Sequence, residues 1–459
     1  MNNAKKILLI LFILLGCLLN SGVYSQCNAQ DTNVFSKNLR LAKVQDDFNQ
    51  LKMTINSYHP MIFTDKEELN DLFTKQYQKL TDKMSLIEFY RIIEPIISKI
   101  HCGHTYLELS DENRNFIVNQ CKGFPIFLKF INERAYVYQN FSDQKIPVRA
   151  EVVEINHQPM KTIISTIFDN VRADGTNQTF KYNLLNRIDY YFNYLFFMLI
   201  DTSKEFNITY INPVDNKSYS TILSAVPFKE LTSEIQVSDI GLATIPLKSA
   251  CFSEINKDYA MLSIKTFSYR TEEFEFKDYI DDFFKTIRNQ KVSNLILDLR
   301  NNIGGSTTTG SHLYSYLIHE TSPYFAGRSE QWIPPIKPAK NNFNGNLYVL
   351  VNGGSFSQSG FLCSLLKYNK LGLLVGEETG GSFLCSGPPF RKIVLNHCKI
   401  VITCPSFRSG TAVTGLPFGR GVTPDYIITP TIEDYFGGND RQLEYVVKLI
   451  KSGYSTNSK

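Results

Sequence analysis

From Leu39 to Ile100 apolar and charged residues alternate at helical spacing, as in Glu67-Glu-Leu-Asn-Asp-Leu-Phe-Thr-Lys-Gln-Tyr77 and Leu86-Ile-Glu-Phe-Tyr-Arg-Ile-Ile-Glu-Pro-Ile-Ile97, which predicts a helical region over 34–112. The texture then changes to short β-rich pieces over 115–240: Phe124–Phe130, Ala135–Tyr138, Glu151–Asn156, Phe206–Tyr210 and Ser220–Leu223. A helical stretch, Ile163–Asn170, and an aromatic segment, Tyr190–Leu199, interrupt them; the aromatic segment reads as core or as packing against the helical cap. From Asp258 strands and helices alternate: Tyr259–Thr266, Asp278–Asn289, Asn294–Leu299, Ser311–His319, Leu347–Val351, Phe361–Tyr368 and Leu371–Val375. Near-continuous apolar strands in such alternation predict an α/β core over 250–432, a mostly parallel buried sheet covered by helices. A last helix near Arg441–Lys451 lies in the closing segment 433–459.

The first 25 residues stand outside this pattern. Lys5-Lys6 followed by the apolar run Ile7–Leu19 reads as a signal peptide with cleavage before Gln26, which predicts export to the periplasm, the cell envelope or the medium. The run is shorter than the roughly 20 residues a spanning helix needs, so no transmembrane segment is expected after its removal. Leu14-Leu-Gly-Cys17 is similar to a lipoprotein cleavage box, which makes a lipid anchor at Cys17 the alternative.

Without the leader, 46 basic residues stand against 44 acidic ones, with no long run of either sign, and nucleic acid is excluded as an expected partner. At 459 residues and 43% hydrophobic, the chain can bury more than one core. Eight cysteines follow the leader without a framework spacing; Cys398 and Cys404 pair across a hairpin or are plain buried thiols, burial being the default.

Two strand-to-glycine loops carry the candidate chemistry: Asn294-Leu-Ile-Leu-Asp-Leu-Arg-Asn-Asn-Ile-Gly-Gly305 and Tyr348-Val-Leu-Val-Asn-Gly-Gly-Ser-Phe-Ser-Gln-Ser-Gly360. Each runs an apolar strand into a turn that exposes N–H groups or a hydroxyl where a helix begins, a place suited to a nucleophile or an oxyanion. Ser357 is the candidate nucleophile, although Ser357 and Ser359 could equally be ordinary helix N-caps. Backbone N–H groups of Gly304 or Gly305 and of Gln358 would form the oxyanion hole, while the bland reading of Asn-Asn-Ile-Gly-Gly is a tight turn. No phosphate-loop pattern occurs at either loop.

With Cys102-Gly-His104-Thr, the strand ending in Phe267, Gly376-Glu-Glu-Thr-Gly-Gly381 and Gly421-Val-Thr-Pro-Asp425, these loops resemble, in order and spacing, the C-terminal processing (tail-specific) family of serine peptidases and its tricorn-core relatives. The resemblance implies a crotonase-like ββα-type core behind an N-terminal helical region. It also implies, with Glu154-Ile-Asn-His-Gln-Pro, a PDZ-like module that binds extended peptide ends. It aligns Ser357 with the family serine. Ser382 stands where the Ser-Lys branch has its lysine, so the chain is nearer the branch that uses histidine, with His104 as base.

Phe418 stands where the histidine-using relatives have a glutamate, which leaves the group that orients His104 unassigned, Glu377 and Glu378 being nearby in the pattern. Asp298 and Arg300 are expected to pin the loop as structural support. His101-x-x-His104 with Cys102 invites a metal reading but lacks zincin spacing and a third ligand, so neither metal nor other cofactor is expected. The expected function is therefore an exported serine peptidase acting on a protein or peptide substrate. The rival is a catalytically silent peptide- or ligand-binding protein on the same fold, which the absent lysine and glutamate would favour.

Overall fold

The computed structural model describes residues 34–187, 190–233, 250–269, 273–326 and 333–456. The leader and Cys17 lie outside these residues. Among the described residues no helix is long and apolar enough to cross a membrane.

Six strands form the central sheet, in the order Cys251–Ile255, Ala260–Ile264, Asn294–Asp298, Asn346–Val351, Leu373–Gly376 and Tyr426–Ile427. The first pair is antiparallel and every later pair is parallel. Alternation decides the two faces. Leu295, Leu297, Leu347, Val349 and Val351 pack with Phe276, Ile280, Phe284, Leu313 and Phe361 from the helices Glu273–Asn289, Thr307–Ser315 and Gln358–Tyr368. Ile296, Tyr348 and Leu350 face the other way, against Val446 and its neighbours on the helix Arg441–Lys451. Fully buried side chains of this size stabilise by about 1.5–3 kcal/mol each, which explains why both faces of a parallel sheet need a helical cover.

The expected helices, strands and last helix are present, with ends displaced by a few residues. The helical region consists of Leu41–Tyr58, Lys66–Tyr77 and Leu86–Lys99, the last opened by a Ser85/Glu88 capping box. The middle region is a sheet in the order Ile126–Ile131, Arg134–Asn140, Glu151–Ile155, Glu205–Ile211 and Ser218–Ser224. The helices Met160–Phe168, Gln178–Arg187 and Tyr191–Leu199 pack against it, and Phe192 and Phe196 are core, as expected for the aromatic segment.

Another element was touched by the sequence reading only at the hairpin considered for Cys398 and Cys404. Residues Leu384–Val394 and Val401–Gly410 form a long antiparallel hairpin, and Tyr106–Glu108, directly after His104, adds to it as a third strand. Its tip residues Leu395, Cys398, Ile400 and Ile402 pack with the N-terminal helices. The hairpin therefore belongs spatially to the 34–112 region although it lies within the 250–432 segment. Cys398 and Cys404 are buried free thiols.

Candidate active site

The two glycine loops meet at the C-terminal ends of neighbouring parallel strands and are stitched together by side chains. Asn301 N–H donates to Asn352 Oδ1 at 2.9 Å, and Asn352 Nδ2 donates back to Asn301 Oδ1 at 3.0 Å. Ser355 Oγ donates to the Leu299 carbonyl at 2.8 Å, and Phe356 N–H donates to the Asn302 carbonyl at 3.0 Å. Asn302, fully buried, reaches across to the Ile264 carbonyl at 3.0 Å. These contacts fix the backbone on either side of Ser357.

Ser357 is the N-cap of the helix Gln358–Tyr368 by position, but its hydroxyl caps no backbone N–H. Its backbone sits at φ 55°, ψ −121°, a conformation costly for a residue with a Cβ. That turn aims the hydroxyl outward. Oγ lies 3.1 Å from His104 Nε2, so the structure brings the two residues together from opposite ends of the chain. The helix N-terminus adds a positive field at the same point.

His104 arrives on the short loop Cys102–Thr105. Gly103 N–H donates to Asp174 Oδ1 at 2.8 Å, Gly175 N–H donates to the His101 carbonyl at 2.8 Å, and Thr105 Oγ1 lies 2.7 Å from His59 Nε2. Glycine is required at 103 because an added Cβ would come within 2.7 Å of the Phe356 ring. Phe356 stacks on the His104 ring at 4.6 Å between centroids, and Phe390 of the hairpin stacks at 6.0 Å. Burial first, then the Arg172 guanidinium, push the His104 imidazole down to about 3, which keeps it neutral at neutral pH.

The predicted oxyanion donors divide. Gly304 N–H is donated to Asn302 Oδ1 at 2.9 Å and is committed to the turn. Its carbonyl and the Ser306 N–H ladder with Phe267, which leaves the exposed Gly305 N–H on the other side of the backbone, without a partner among the described residues. The Gln358 N–H, first in its helix, is likewise without one. The Gln358 side chain is turned away to the Tyr324 hydroxyl and Thr307. Gly304 still matters by its size: at φ +99°, an added Cβ would lie 2.7 Å from Ser357 Cβ and 2.8 Å from Gln358 N.

Asp298 and Arg300 lie behind the loop and touch neither Ser357 nor His104. Arg300 holds Asp298 through Nε and Nη2, both at 2.9 Å, and Asp440 through Nη1 and Nη2, both at 2.7 Å. Burial opposes ionisation of Asp298, but the Arg300 contacts win and hold its carboxyl below the usual range.

Of the groups considered for orienting His104, Glu378 is committed to Arg420, at 2.9 and 2.6 Å, and to Gly421 N–H at 2.8 Å. Glu377 is pushed up to about 7 by burial and makes no hydrogen bond to the histidine. Phe418 is exposed and packs on Phe63. Ser382 is buried, one residue beyond Gly381, whose N–H bonds the Ser355 carbonyl.

The metal reading lacked a third ligand in sequence. The structure brings one near: a carboxylate oxygen of Asp174, the Cys102 sulfur and a ring nitrogen of His104 lie within 4.8 Å of one another. Burial pushes the Cys102 thiol up to about 12, and His104 Nε2 is directed at the Ser357 hydroxyl.

A hydroxyl on a strained strand-to-helix turn, bonded to a neutral imidazole and followed by a helix N–H without a partner among the described residues, is the arrangement that serine hydrolases use. Residues 258–428 match the model of peptidase family S41. A chloroplastic C-terminal processing peptidase from Tetradesmus obliquus is 36% identical over 161 residues, which cover 32% of this chain and 32% of that protein. The match thus spans about a third of the curated relative's length. Among solved structures, mature CPAF superposes with a TM-score of 0.61 at 16% identity, covering 90% of this chain and 98% of that one. Its complex with lactacystin superposes equally well, at 15% identity. At these identities the likeness establishes a shared fold across nearly the whole chain, including the two regions that the family match leaves out.

Proposed function

We propose that this chain is an exported serine peptidase of the tail-specific type, and the observation that carries the reading is the 3.1 Å contact between Ser357 Oγ and His104 Nε2 within an S41 fold. Ser357 Oγ attacks a peptide carbonyl while its proton passes to His104 Nε2. The oxyanion of the tetrahedral adduct is held by the N–H groups of Gly305 and Gln358, with Gly304 leaving the room they need. The C–N bond then breaks, Nε2 returns the proton to the leaving amine, and water, activated by the same nitrogen, releases the acyl group.

In this reading the central sheet is a crotonase-type core and the middle sheet a PDZ-like module that receives a substrate's extended end. Export follows from the charged and apolar leader. Asp298 and Arg300 support the loop without moving protons. The test is hydrolysis of a mixed peptide library by the purified mature chain, read by mass spectrometry. Cleavage by the wild type that is lost in Ser357→Ala is expected; equal cleavage by both proteins would refute the assignment.

A further inference from the structure

We infer that Asp174 is the positioning residue of His104, the third member of the site, reaching the imidazole from the middle region and replacing the glutamate that Phe418 displaces. The inference rests on the peptidase reading above.

Two buried polar atoms in this pocket are without a hydrogen-bond partner: His104 Nδ1 and Asp174 Oδ2. They are complementary. With Nε2 accepting from the Ser357 hydroxyl, the neutral ring carries its proton on Nδ1 as a donor, and Oδ2 is an acceptor. A carboxylate oxygen of Asp174 and a ring nitrogen of His104 lie within 4.8 Å of each other, so the pairing needs only a side-chain adjustment within the pocket. A buried donor and a buried acceptor left unpaired are each unfavourable in the interior, so pairing them with one another is favoured.

The rest of the pocket fits the role. Asp174 is 1% exposed and its other oxygen is anchored by Gly103 N–H, one residue before the histidine, so carboxylate and imidazole are held in one frame. Once the Ser357 proton reaches Nε2, the ring becomes a cation between Phe356 and Phe390, where little else can stabilise it. A carboxylate on Nδ1 stabilises that cation and fixes the tautomer; the proton on Nδ1 stays where it is throughout. The charged and titratable groups facing Asp174 are Arg172, Cys102, Cys385 and His104. Burial, against Gly103 N–H and Arg172, pushes the Asp174 carboxyl up to about 7. The ionised form that assists therefore fills in as pH rises through neutrality.

Asp174→Asn tests this, because an asparagine keeps an oxygen for Gly103 N–H while presenting an amide to Nδ1. The rate of fluorophosphonate labelling of Ser357 is expected to fall on the order of 10³–10⁴-fold and to lose the rise through pH 7, with an unchanged melting temperature. Labelling of Asp174→Asn at the wild-type rate, alongside a labelled wild type and an unlabelled Ser357→Ala, overturns the inference and leaves the peptidase reading intact. An unlabelled, folded wild type overturns both. Independently of activity, ¹⁵N NMR of the wild-type His104 ring, assigned by its absence in His104→Gln, is expected to show the Nδ1–H tautomer. The Nε2–H tautomer, or stoichiometric zinc in the purified protein lost in Asp174→Asn, overturns the inference.

Discussion

Ser357 is an N-cap that does not cap. Serine at a helix start ordinarily spends its hydroxyl on the N2 or N3 amide, and here that hydroxyl is turned to His104 by a backbone at φ 55°. In the proposed reading that strain serves the chemistry of Ser357 rather than the fold, so relieving it should stabilise the protein. Ser357→Gly is expected to raise stability by about 1 kcal/mol, a few degrees in a thermal melt, while abolishing activity; a destabilised Ser357→Gly would mean the turn is not strained. The serine and histidine were legible in sequence as parts of a resemblance. Asp174 was not, because Asp174-Gly175 reads as a turn and nothing in spacing ties it to a loop some seventy residues earlier. The commitment of Gly304 N–H to Asn302 also depends on which way one peptide faces, which composition does not encode.

At the scale of elements, period and apolar runs marked four of the six central strands, their helices and the last helix, since burial on both faces leaves little freedom in the pattern. The extent of the Leu384–Gly410 hairpin, touched in sequence only at Cys398 and Cys404, escaped because its turn carries no glycine. Lys399 takes φ 59°, and Leu395 N–H closes on the Ile400 carbonyl at 2.8 Å. Its partner strand, Tyr106–Glu108, is close to three hundred residues away, and a pairing of that range leaves no local signal. The join between sheet and last helix was foreseen only as a pinned loop. Arg300 links Asp298, at the end of a central strand, to Asp440, the N-cap of Arg441–Lys451. Arg300→Ala leaves Asp298 buried without its main partner and is expected to cost about 3–5 kcal/mol in urea unfolding. A cost under about 1 kcal/mol, the usual size for an exposed ion pair, would show that the link is not buried in solution.

On the scale of the whole molecule, the site exists only as an assembly of three regions. The core supplies Ser357 and the free N–H groups of Gly305 and Gln358, the N-terminal helical region supplies His104, and the middle region supplies Asp174 and Phe180, whose ring stacks on Phe356 at 4.3 Å. The family match at residues 258–428 covers the first of these alone. That division explains why Ser357 and the glycine loops were readable from one segment and His104 only from the whole chain. It also makes the Ser357–His104 pair the point on which the account turns, and labelling of the folded mature protein with a serine-directed fluorophosphonate is the most direct test. The account predicts stoichiometric labelling at Ser357, abolished in Ser357→Ala and slowed by at least about a hundredfold in His104→Ala; an unlabelled wild type, or labelling indifferent to both substitutions, would contradict it.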